Sequence, residues 1–179
     1  MENAGARKIS ASEHREEVSL LILKHAAEEH RHAYYLKKQL SKLDAGACKN
    51  YHPDSLLAAR YTRFYLHVLD IQVCRYLKAH FQLESEALKF AAYLFVTYII
   101  EVRADELYPV YQEVLSENQQ KVTVKSIILE EEGHLEEMIH QLDTFSPDWR
   151  QHAAVLVALE QQLFADWMQH IELEIREAV

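Results

Sequence analysis

The sequence predicts an all-helical fold, an antiparallel four-helix bundle with one additional C-terminal helix. Three observations carry this expectation. Only 3 glycines and 3 prolines punctuate 179 residues, so the elements are long. Apolar residues recur at helical spacing through five segments. The rest of the chain is rich in Ala, Leu, Glu, Gln and Lys, which lose little conformational freedom in a helix. Hydrophobic residues make up 49%, enough for a core. The expected organisation is a flexible terminus over residues 1–11 and a single helical-bundle domain over residues 12–179.

The first segment is predicted over residues 12–42. Ser10 and Glu13 have capping-box spacing, Gly46 lies just past the end, and Val18, Ile22, Ala26, Ala33, Leu36 and Leu40 form the apolar stripe. The second, over 53–81, opens on Pro53 and turns Leu57, Tyr61, Phe64, Val68, Ile71 and Leu77 inward. The third, over 84–116, is apolar nearly all round between Phe90 and Val102, which predicts the most buried helix, with a kink at Pro109. The fourth covers 123–142. The fifth follows the Ser146-Pro147-Asp148 start signal to about residue 176, and its Leu156, Leu163, Phe164, Trp167 and Ile171 face the bundle or a second subunit. The other connections are short, which makes successive helices antiparallel neighbours.

A net charge of −9 argues against nucleic acid, whose phosphates need a basic surface. Cys48 and Cys74 alone build neither a disulfide framework nor a thiolate metal site. The stretch 1–12 lacks an apolar signal core, and the most apolar run is about half a bilayer span, so no membrane is expected and the compartment read from the sequence is cytoplasmic.

Two helices carry a Glu-x-x-His pair on an apolar face. His25, Glu29 and His32 fall among Ile22, Ala26, Ala33 and Leu36. Glu131 and His134 fall on the side of Val124, Ile127, Ile128, Leu135 and Met138, whereas Glu130, Glu132, Glu136 and Glu137 lie off it. A carboxylate in an apolar interior costs several kcal/mol unless something neutralises it, and a cation does so most simply. Glu at i and His at i+3 share one face, so each pair offers oxygen and nitrogen donors to one ion. Two such pairs want an acid from each remaining helix. Glu101 is the one acid near the centre of the third segment's apolar run, with Asp105 a turn later. Asp70 is the choice in the second segment, with His67 its competitor. Tyr98, close before Glu101, is a pocket candidate. Gly133, inside a helix between Glu131 and His134, suggests that space is needed there.

The strings EEHRH from Glu28 to His32, YIIEV around Glu101 and EEEGH from Glu130 to His134 resemble the ferritin-like di-iron carboxylate superfamily, which includes ferritins, rubrerythrins and di-iron hydroxylases. The order differs from most members, because here the first helix carries Glu-x-x-His and no long crossover is visible. The resemblance implies two iron ions held by Glu29, His32, Asp70, Glu101, Glu131 and His134, with manganese fitting the same ligands. It implies an oxidoreductase that activates O2 or peroxide and oxidises a small organic substrate. Two alternatives stand beside it. One is a ferroxidase or peroxide-scavenging protein. The other is a metal-free helical scaffold whose acids pair with Arg60, Arg63 or Arg103.

Overall fold

A computed structural model describes residues 1–43, 46 and 49–178. Cys48 lies outside the described residues; Cys74 is a free thiol. Among the described residues the protein is all helix, with no strand. Six α-helices follow in order: α1 (Glu2–Ser12), α2 (Leu20–Leu43), α3 (Ala59–Phe81), α4 (Ser85–Glu117), α5 (Lys125–Phe145) and α6 (Trp149–Ala178). A 3-10 turn at Pro53–Ser55 precedes α3. None of these helices is long and apolar enough to cross a membrane.

The first segment expected from the sequence is thus two helices. A flexible terminus is expected over residues 1–11, but residues 2–12 form α1, and residues 13–19 break the chain before α2. Ser10 does not cap the second helix. It lies inside α1 with its Oγ bonded 2.9 Å to the Ala6 carbonyl, the back-bond that serine makes within a helix. The helix α4 runs on through Pro109 to Glu117. With so few glycines, Gln82 and Gln119 adopt the left-handed conformation just past α3 and α4, at φ 55° and 53°.

The chain divides into two compact units. Unit 1 comprises Met1–Tyr76 and Ala158–Val179. In it α1 packs on α2 through Ala6 and Ile9. The C-terminal half of α6 meets α3, where Trp167 Nε1 donates to Thr62 Oγ1 at 2.9 Å and the Tyr65 hydroxyl donates to the Glu160 carboxylate. Glu174 accepts the Ala58 backbone N–H at 2.6 Å, at the entry to α3.

Unit 2 is Leu77–Val157, in which α4 and α5 pack as a hairpin across the 118–124 connection. Residues Ala91 to Thr97 of α4 are all buried, as their apolar run predicts. Phe145 meets Phe81 and Phe95 edge to face, and Phe81 lies tilted against Phe95 and His152. At the start of α6, Asp143 accepts bonds from Trp149 Nε1 at 2.8 Å and from Arg150, which hold its carboxyl below the usual aspartate range.

The buried face of α3 differs in phase from the expectation. Tyr65, Leu66, Leu69, Val73 and Leu77 are buried, whereas Leu57 and Phe64 are half exposed. A helix apolar on more than one side does not announce which side is inner.

Candidate metal centre

In unit 1, α2 turns His25, Glu29 and His32 inward, at i, i+4 and i+7 along the stripe that begins with Ile22 and Ala26. All three are buried. His32 Nδ1 stands 3.8 Å from Glu29 Oε1 and 3.9 Å from Glu2 Oε2. Glu2 reaches the group from the first turn of α1. These three side chains each offer a ligand atom within 4.8 Å of the others.

In unit 2, α5 presents Glu131 and His134 on the face of Ile127, Met138 and Leu142, and α4 brings Glu101 to them. His134 Nδ1 lies 3.0 Å from Glu131 Oε2 and 3.6 Å from Glu101 Oε1. No side chain of the three is more than 4% exposed. Burial holds the Glu101 carboxyl well above the usual glutamate range, and the neighbouring Glu131 charge adds to this; the hydrogen bond to His134 acts against it. Nearby, burial and the Glu101 charge push the Tyr93 phenol up.

Each group is two carboxylates and an imidazole, a hard-to-borderline donor set suited to divalent iron, manganese or zinc. Metal–ligand bonds of about 2 Å let one ion touch donors roughly 4 Å apart. The donors of each group therefore fit a cation after small side-chain movements, and each buried Glu/His group can hold a metal ion.

The structure thus gathers five of the six sequence-derived ligands into these two groups: Glu29 and His32 in one, Glu101, Glu131 and His134 in the other. Asp70 is in neither. It lies at the edge of the buried face of α3, where Lys8 Nζ donates to its Oδ1 at 2.6 Å and the Cys74 thiol points to it at 3.8 Å. His67, its competitor, is exposed. Tyr98 is partly buried, with its ring edge-on to Trp149 at 5.0 Å. Arg103 bonds to Glu106 on its own helix, and Arg60 and Arg63 are exposed. At Gly133 the expected need for space is not found, since a Cβ there would meet nothing within 4 Å.

Two acids went unread in the sequence, the half-buried Glu2 and the buried Glu160. Glu2 was passed over with the polar terminus. Glu160 sits four residues after Leu156 and three before Leu163, a spacing that marks it as inward-facing. Beside it, α3 and α6 enclose a cavity of about 410 Å³ walled by Tyr61, Phe64, Tyr65 and Trp167, with Arg60 and Asp166 at its polar edge.

No protein-family model, curated protein or solved structure matches the chain.

Proposed function

We propose that the two Glu/His groups are halves of one dinuclear iron centre and that the protein is a non-haem di-iron oxidoreductase acting with O2 or peroxide on a small organic substrate. In this reading residues 12–179 form one domain, α2 to α5 supply a ferritin-like bundle, and α6 is the additional helix. The observation that carries it is the duplicated donor set: a buried Glu-x-x-His on α2 and again on α5, each joined by a further carboxylate. Such a duplicated set of buried acids and imidazoles is a costly arrangement for a metal-free core.

Iron bound by carboxylates and imidazoles supplies redox chemistry with dioxygen or peroxide. The chain supplies the rest. In this reading Glu29 and Glu131 would supply carboxylate oxygens to the ions, and His32 and His134 would supply imidazole nitrogens. Burial favours the protonated form of Glu101 in the metal-free state, and a cation would have to displace that proton. The burial of Glu101, Glu131 and His134 keeps bulk water from the unit 2 donors. The substrate is expected to be a small organic molecule, because the apolar α4, with Tyr93 near Glu101, lies beside the unit 2 donors.

Metal analysis of protein from iron-supplemented culture tests this. The expected result is two iron ions per chain, falling to background when Glu29 and Glu131 are both replaced by alanine. Unchanged iron in that double variant contradicts the proposal. Gel filtration separates the catalytic reading from iron storage, since a storage cage elutes as a large oligomer and an oxygenase as a monomer or dimer.

A further inference from the structure

The first helix has no place in the four-helix scheme, yet it touches the α2 half of the centre at successive turns. Glu2 Oε2 lies 3.9 Å from His32 Nδ1. Gly5 comes so near that a Cβ added there would stand 3.5 Å from Glu29 Oε2. Lys8 Nζ grips Asp70 Oδ1 at 2.6 Å. Residues 2, 5 and 8 are three apart, so they follow one side of α1. Gly5 is the residue type that lets a helix backbone lie close against a carboxylate.

We propose that α1 is a metal-coupled clasp: Glu2 supplies a ligand to the ion held by Glu29 and His32, and α1 closes over that ion with the Lys8–Asp70 pair as its latch. The inference rests on the metal reading above and adds a ligand, and a route of entry, that the reading lacks.

The energetics favour a helix that can leave. An isolated helix of 11 residues is marginal in water. Docked α1 buries Ala6 and Ile9 as its apolar residues and holds the partly exposed Lys8–Asp70 pair. Short terminal elements that bury little apolar surface open locally more often than the whole protein unfolds. Undocking α1 uncovers Glu29 and His32 and gives an ion a way into a buried site. A cation that binds Glu2 only when α1 is docked shifts the population toward the closed form. The latch also explains Asp70: Lys8 neutralises it, so it serves the position of α1 rather than the metal.

Hydrogen exchange of the full chain, stripped by chelation and then given anaerobic Fe(II), tests the clasp together with Fe(II) titration calorimetry. Fe(II) is expected to slow exchange at residues 6–12 at least about tenfold in the native chain. Glu2→Gln should abolish that slowing and weaken binding of one ion by about 10- to 100-fold. Lys8→Met should speed exchange of α1 before metal is added while keeping the metal-induced slowing. Either an unchanged affinity in Glu2→Gln or metal-independent exchange of α1 overturns the clasp and leaves the metal centre standing. A native chain that binds no Fe(II) overturns both. Asp70→Asn separates latch from ligand: it should act as Lys8→Met does, and a loss of affinity as large as that of Glu131→Ala overturns the latch.

Discussion

The two Glu/His groups share a composition but differ in closure. In unit 2, His134 stands within hydrogen-bonding distance of Glu131, Glu101 is close by, and every member is sealed from water. In unit 1 the corresponding separations are 3.8 and 3.9 Å, and Glu2 is 15% exposed at the side chain. The difference follows from the elements that carry them. Glu101 projects from the middle of a helix buried nearly all round, whereas Glu2 projects from the first turn of a short one. The unit 2 group is preorganised and, without metal, settles its charges by hydrogen bonding and by keeping a proton on Glu101. The unit 1 group is looser and more open, as an entry side should be.

The comparison breaks first at the histidines. His134→Ala leaves two carboxylates in a sealed core and should cost the metal-free protein about 3–5 kcal/mol. His32→Ala should cost clearly less, because its carboxylates lie farther away and one is partly hydrated. Urea unfolding of the chelated variants measures both, and equal losses would erase the distinction between the units.

A smaller effect sharpens the electrostatic half of the argument. The Glu101 carboxyl titrates above the ordinary glutamate value of 4.5. The native state therefore keeps a proton that the unfolded chain has lost. The stability this lends the metal-free protein is whole below 4.5 and declines as pH rises through the elevated value. Metal affinity should climb over the same span, because the cation must displace that proton. Glu101→Gln should flatten the stability profile; an identical slope in the variant would place the titration elsewhere.

Tyr65→Phe tests the other buried acid of unit 1. It removes the hydroxyl that serves Glu160 and should cost about 1–3 kcal/mol in thermal unfolding, with metal content unchanged. The smallest change runs the other way. Gly133→Ala adds a methyl group into open space in a helix interior and should stabilise α5 by about 1 kcal/mol without altering metal affinity. A loss of affinity would restore the idea that the position is kept small for the centre.

The helices from α2 onward and five of the buried Glu/His side chains were legible because polar residues interrupted apolar stripes. Glu29, His32, Glu131 and His134 each sat between residues that had to be inside. Glu101 stood out as the one acid near the centre of the apolar run of α4. The misreadings have physical causes. The helix α1 buries only Ala6 and Ile9, too little for a stripe to show, and Glu2 was lost with it. Asp70 was assigned from a face of α3 shared with Phe64, Ile71, Cys74 and Leu77, of which Phe64 is half exposed. Its true partner, Lys8, is 62 residues away in sequence, and no local pattern carries a contact of that kind.

The central claim is that the two groups serve one centre, and anaerobic Fe(II) titration of two single variants tests it most directly. Glu29→Ala damages the unit 1 group, and Glu131→Ala damages the unit 2 group. If the groups share a dinuclear centre, either substitution weakens the binding of both ions. If instead each variant loses one ion while the other binds with native affinity, the groups are separate sites and the account of a di-iron centre is wrong.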